Sequence, residues 1–521
     1  MSFSQDWKTY PYEPAGEIAF PVDEGHHTSE PTEWWYSAGH FVGQTSGTNY
    51  SFMCTFFHVD PPQQGFSGFR ILNITNEDTG EFFQDVKPVN YNTLSTTGFD
   101  IEADIFLGGI DTWKNKVDGM SQPIPFEYEL LSNGGTGGLD IEFVTTKRPL
   151  ILGDDGLFNQ GLSNYTYYYS QTMNTVTGDV TFNGVTEPVI GTGWIDRQYG
   201  TFNPFTGERY EWFSMQLSNG MDLNLWNIFT ADRTTPLTPE YRNLSAYVNE
   251  STQYTTNDIQ IERLQYFCTP DEVQCYSKQW RITSTTNHNI DLIVSILHET
   301  TEVQLPFRFF EGSIDITGTV DGNPVTGKGF AELLHAYEDP DVTITSPSGG
   351  VYNTSMPITW TLNNPDDGRP VKYDLEYSID NQQNFNSIAT GLELPSYLWN
   401  NPPISENDEV WFRITAYSID GTLTSTIVSD SASTATLTNS NFEFDLVSIY
   451  PNPVFDNLNV NFNTSSKRDY TVYDINGKKI LFGNKVDSNS IIIDVSSLHS
   501  GLYFLDLKSE TASKVYKFIK Q

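Results

Sequence analysis

The sequence predicts an all-β protein, and three observations carry that prediction. Tyr, Phe, Trp, Thr and Val recur in short runs, Gly, Asn, Asp and Pro punctuate them, and no long segment sustains a helical apolar period. Aromatic residues make up 14% of the chain, the side-chain type that pleated, half-buried surfaces favour. At 521 residues the chain exceeds what one core can fill, so several domains are expected.

Residues 1–20 are polar and aromatic without a period and read as an N-terminal arm. A first barrel is expected over 21–205. Its strands include the alternating run Tyr50 to His58, then Phe69 to Ile74, Phe99 to Phe106, Phe126 to Leu131 and Leu139 to Val144, all separated by turn residues. Asn183-Gly184 is a hairpin turn signal that delivers the next strand, Gly191 to Gly200. A second strand series, from Tyr210-Glu211-Trp212-Phe213 to Gly329-Phe330-Ala331-Glu332-Leu333, reads as a second barrel over 206–340. Short strands over 341–430 suit an immunoglobulin-like sandwich. The Ser/Thr/Ala-rich stretch 431–445 reads as a linker, and the lysine-rich shift over 446–521 marks a separate small β-sandwich.

Charge and cysteine usage exclude several function classes. A net charge of −38 repels phosphate, so neither a nucleic acid nor an anionic membrane is expected as a partner. No apolar run is long enough to cross a bilayer, so no transmembrane segment is expected, and residues 1–20 lack a signal-peptide pattern, which suits an already processed chain. Three cysteines exclude a disulfide scaffold, although Cys268 and Cys275 flank a polar loop that oxidation could close. Cys54 sits in an apolar run and reads as a buried thiol.

Two stretches concentrate the chemistry. Glu33-Trp34-Trp35-Tyr36, followed by His40, and Trp194-Ile195-Asp196-Arg197-Gln198-Tyr199-Gly200 each mix carboxylate, ring and polar residues in adjacent positions, as a lined pocket would. Tyr168 and Tyr169 belong to a tyrosine run whose alternate members face opposite ways. Four of the eight histidines, His26, His27, His40 and His58, precede residue 60. No His-x-x-x-His on a helix and no cysteine pair accompanies them, so no metal or other cofactor is expected. Asp196 is the candidate acid, with Trp194, Arg197 and Glu33 beside it. Trp34, Trp35, Tyr36, His40, Tyr168, Tyr169, Gln198 and Tyr199 are the candidate ligand-binding residues. Arg197 within reach of Asp196 would hold it ionised, whereas Arg197 pointing away would not. Glu33 reads as Arg197's ion-pair partner, structural or orienting in role.

Residues 20–338 resemble the carotenoid 1,2-hydratase/AttH-like family. The resemblance rests on Glu33-Trp34-Trp35-Tyr36 with Gly39-His40, Tyr167-Tyr168-Tyr169-Ser170, Gly193-Trp194-Ile195-Asp196, and Glu311-Gly312 with Gly329 to Leu333. It implies two lipocalin-like barrels and hydro-lyase chemistry on an apolar, isoprenoid or polyene-like ligand. The hydratase branch carries Tyr two residues before the Asp and His-Asn-Trp-Gly after it; here Trp194 and Arg197-Gln198-Tyr199-Gly200 stand instead. A cyclase-like pocket that shapes a polyene is a second implication. A secreted, non-catalytic protein binding an apolar or glycan ligand is the alternative outside enzymology, and turnover discriminates it. Pro451-Asn452-Pro453, Tyr473 to Gly477 and Gly501-Leu502-Tyr503 resemble the type IX secretion sorting domain of Bacteroidetes. That implies the type IX machinery as a partner and a secreted or cell-surface location.

Overall fold

Chain order is also pairing order through most of the first barrel. The computed structural model describes residues 7–14, 16–202, 206–305, 307–352, 357–400, 403–404, 408–434, 447–509 and 513–521. Among these, every regular element is a strand except one 3-10 turn, Val22–Glu24. From Thr32–Gly43 to Gly138–Thr145, each strand pairs antiparallel with the next. The long hairpin Asn164–Phe182/Val185–Gly200 then closes the ring, one arm pairing with Gly138–Thr145 and the other with Thr32–Gly43. Ten strands thus form a closed barrel. Its interior is filled by residues such as Trp35, Phe52, Cys54, Leu72, Trp113, Tyr128, Phe143 and Ile195, so it is a packed core rather than an empty lumen. Gly39 and Gly193 face each other in register, and a Cβ on Gly39 would lie 2.4 Å from the Thr192 carbonyl oxygen. Only glycine permits that closeness.

The second sheet runs from Arg209–Leu217 to Asn323–Leu333 and curves into a half-barrel around Phe213, Leu225, Tyr276, Trp280, Leu292 and Phe310. Among the described residues its ladder stays open between Thr252–Thr256 and Gln260–Cys268. Cys268 and Cys275 are disulfide-bonded across the neighbouring hairpin, while Cys54 is a buried free thiol.

The outer face of the first barrel packs on the outer face of the half-barrel. Trp34, Tyr36, Ala38, Met53, Tyr168 and Trp194 meet Tyr210, Trp212, Trp226, Val303, Phe309 and Phe330 in a second apolar core. Polar ties reinforce it, including Lys147 to Asp222 at 2.6 Å and Thr172 to Asp222 at 2.7 Å. This arrangement explains a feature of the sequence. The last eight residues of Val185–Gly200 are all buried, because one face looks into the barrel and the other onto its neighbour, so no wet face imposes alternation.

A segment from outside the barrels seals each one. Before the first barrel, Glu24 is fully buried, accepting hydrogen bonds from Tyr10 and Tyr128. Beyond the half-barrel, strands such as Val342–Ser346, Pro357–Leu362, Val371–Ser378 and Glu409–Ser418 build the two sheets of a third domain. Its loop Asp366–Arg369 and residues Asp420 to Leu423 dock on Thr235, Arg263, Tyr266 and Tyr337. Residues through Ala432 therefore belong largely to one compact unit.

The C-terminal unit contains five strands between Ser448 and Lys520 around Val454, Val460, Val472, Ile493, Leu505 and Phe518. The expected linker 431–445 lies largely outside the described residues, as do residues 1–6 of the expected arm.

Candidate active site

Register decides what faces the inter-barrel seam. Asp196 sits between Tyr36 on one neighbouring strand and Ser170 on the other. Because side chains alternate along a strand, Trp194, Asp196 and Gln198 project outward toward the half-barrel, whereas Ile195, Arg197 and Tyr199 project inward. The seam holds a narrow cleft with a cavity volume of about 40 Å³. Trp34, Tyr36, Met53, Thr55, Phe57, Tyr168, Asp196 and Gln198 line it from the first barrel, and Tyr210, Trp212, Trp226, Phe309 and Glu332 from the half-barrel.

Asp196 is held by three neutral donors. Its Oδ1 accepts from Ser170 Oγ at 2.5 Å and Trp194 Nε1 at 2.7 Å, and its Oδ2 accepts from the Tyr168 hydroxyl at 2.6 Å. Asn224, from the half-barrel, donates to both the Tyr168 hydroxyl and Ser170 Oγ at 2.8 and 3.1 Å, fixing them from behind. Burial pushes the Asp196 carboxyl up to about 7, and the three donors only partly oppose it. Near neutral pH the group therefore holds or releases a proton with little cost in either direction.

Arg197 takes no part in this. It points into the barrel, pairs with the buried Glu33, donates to the carbonyls of Gly25 and Gln198, and lies 4.0 Å from the Trp35 ring centroid. Burial would raise Glu33, but Arg197 and hydrogen bonds from His26 and His27 outweigh it and hold that carboxyl well below the usual range. His27 stacks on Tyr199 at 3.6 Å, and Tyr169 joins Tyr199 in a small core with Phe20 and Phe126. Glu33, Trp35, Arg197, Tyr169 and Tyr199 thus form a lock at the barrel end. Asp196, Trp194, Trp34, Tyr36, Tyr168 and Gln198 gather at the cleft. His40 projects outward but packs on Phe330 at 5.2 Å, beyond the cleft lining, and burial lowers its imidazole to about 4.

The half-barrel contributes residues that sequence reasoning passed over. Glu311 and Glu332 stand opposite each other on paired strands, with Tyr36 donating to Glu311 at 2.8 Å and Tyr210 donating to Glu332. Trp212 and Trp226 supply the wall facing Trp34 and Tyr168. A signal existed in the repetition of Glu33-Trp34 as Glu211-Trp212, since both tryptophans face the cleft. Among the described residues no group of acids, histidines and cysteines has the geometry of a metal site.

Residues 11–337 match the AttH-like family. The chain belongs to that family. The AttH-like region includes both walls of the cleft, and among solved structures it is similar in fold to the crystal structure of an AttH from Nitrosomonas europaea. That match has 20% identity and a TM-score of 0.52, and covers 62% of this chain and 99% of that one. The crystal structure of kievitone hydratase from Nectria haematococca also matches, at 18% identity and a TM-score of 0.47, covering 62% of this chain and 98% of that one. No match was found among curated proteins. Residues 448–521 match the secretion system C-terminal sorting domain, so this AttH-like protein is a secreted or cell-surface protein handled by the type IX machinery. No helix among the described residues is long and apolar enough to cross a membrane.

Proposed function

We propose that this AttH-like protein is a hydro-lyase acting on an alkene of isoprenoid or polyene type, bound in the cleft between the barrels, with Asp196 as the acid. One observation carries the proposal: a buried carboxyl, with no cation contact among the described residues, sits in a wall of aromatic rings with its proton affinity raised to about 7. A carboxyl in that state can give its proton to one alkene carbon, using the π pair to form the new C–H bond. The cation left on the other carbon faces Trp and Tyr rings, each worth roughly 0.5–2 kcal/mol of attraction depending on desolvation. A water oxygen then bonds to that carbon and loses its spare proton to a base.

Trp34, Tyr36, Tyr168, Trp212 and Trp226 act as the wall, Trp194 and Ser170 orient the acid, and Arg197 with Glu33 keeps the strands in register. The test is incubation of the full chain with a panel of acyclic isoprenoid alkenes and polyenes in heavy-oxygen water, read by mass spectrometry. The natural protein is expected to incorporate the label, and Asp196→Asn to lose about a hundredfold or more of that rate while keeping its melting temperature at acidic pH. Undiminished turnover in Asp196→Asn would refute the acid's role. Tight retention of a panel member without any label in the product would leave a binding protein.

A further inference from the structure

The acid in the first barrel has an unassigned counterpart in the second. Glu311, from Arg308–Val320, and Glu332, from Asn323–Leu333, are directly cross-strand from each other, so their carboxyl groups share one face of the half-barrel, the face turned to the cleft. Glu311 is 2% exposed, while Glu332 is partly open and lines the cleft itself. The titratable groups facing the pair are Tyr36 and Asp196 from the first barrel and Tyr210 from Arg209–Leu217, with Arg209 acting on Tyr210. Both tyrosines donate to the pair, Tyr36 to Glu311 and Tyr210 to Glu332, and no ion pair reaches either carboxyl among the described residues. Two carboxylates paired across strands, one of them cut off from water, resist being ionised together.

We infer that Glu311 and Glu332 share a single proton, which resides on Glu311 and leaves Glu332 as the carboxylate that faces Asp196 across the cleft and accepts the proton of the attacking water. Burial raises both carboxyls; the neighbouring Glu332 pushes Glu311, the more deeply buried of the two, further upward, whereas hydrogen bonds from Tyr210 and Glu311 partly oppose the rise at Glu332. The step balances. Asp196 gives one proton to carbon, water gives its oxygen to the adjacent carbon and its spare proton to Glu332, and the pair becomes neutral as Asp196 becomes an anion. Transfer of that proton back to Asp196 through solvent restores the resting state. Glu332 is then a catalytic residue, because it touches the cleft, and Glu311 a positioning residue, because it acts through Glu332. The role of Glu332 rests on the hydro-lyase reading, whereas the shared proton does not.

Infrared difference spectra of the ligand-free full chain in heavy water, over a pH titration, test the shared proton. Natural protein minus Glu311→Gln is expected to contain a protonated-carboxyl band that persists well above pH 7. Natural protein minus Asp196→Asn should contain a separate band that disappears near pH 7. Absence of the persistent band from the Glu311 difference overturns the shared proton, and absence of the other band counts against the Asp196 reading alone. In the turnover assay, Glu332→Gln should lower the rate about a hundredfold with an unchanged melting curve, and Glu311→Gln should shift the pH profile of the rate rather than abolish it. Glu332→Gln turning over at the natural rate, with Asp196→Asn inactive, overturns the acceptor role while leaving the acid in place.

Discussion

The first barrel and the half-barrel carry the same lock and different side chains at the cleft. In the first, Glu33 pairs with Arg197, which lies over Trp35, and His27 stacks on Tyr199. In the second, Glu211 pairs with Arg263 at 2.5 Å, Arg263 lies over Phe229, and His335 stacks on that ring at 3.7 Å. In each, the tryptophan after the glutamate turns to the cleft. The partners across the closing strand differ: Trp34 faces Gln198 and Tyr36 faces Asp196, whereas Trp212 faces Glu332 and Ser214 faces Phe330. What is duplicated holds the strands, and the proton chemistry proposed above falls on what is not duplicated. A buried Glu–Arg pair in this chain is therefore poor evidence of a reacting group.

The largest expected effects fall on the duplicated lock. Arg197→Ala and Arg263→Ala each strand a buried carboxylate and should destabilise the protein by about 3–5 kcal/mol in urea unfolding, with Asp196→Asn far behind. An Arg variant unfolding at the natural urea midpoint would break the equivalence between the two locks.

An intermediate effect sharpens the contrast between Glu33 and Asp196 through pH. The folded-state proton affinity of Asp196 is raised from 3.8 to about 7, so its contribution to stability is complete below about pH 4 and is lost as pH rises through 7. Glu33 runs the other way. Its affinity is depressed from 4.5, so its contribution is present above that pH and fades as pH falls. Paired calorimetric melts should show Asp196→Asn equal to the natural protein near pH 4 and more stable near pH 8, by on the order of 2–4 kcal/mol. Equal melts at both values would mean that folding leaves the proton affinity of Asp196 at its ordinary value.

The smallest effect concerns Trp194. Trp194→Phe removes one donor to Asp196 Oδ1 and should move the alkaline limb of the turnover profile upward by about one pH unit. A downward movement would show that the indole stabilises the acid form instead.

How much of this could be read beforehand depends on which kind of neighbour matters. Strand character was legible because alternation and turn residues are local. Asp196 with Trp194 was legible because they are two apart on one strand and so share a face, and the same rule sends Arg197 to the opposite one. The cleft's second wall was not, because Glu311, Glu332, Trp212 and Trp226 meet Asp196 only through packing between sheets far apart in sequence. Nor could the sequence say which face of Val185–Gly200 looks outward, since both are buried and the usual polar mark of an outer face is missing.

Asp366, Asp367 and Gly368 lie over the end of the half-barrel, with Gly368 against Arg263 and Asp367 3.5 Å from the buried His335. The shortest fragment worth expressing is for that reason not the family-matched region ending at 337. A recombinant chain stopped there would lay Arg263, Tyr266 and His335 open to water, and ligand screening on it would sample a loosened wall. Cutting near Ala432 keeps the third domain as a stopper and sheds only the sorting module, leaving a form suited to crystallisation with trapped ligand.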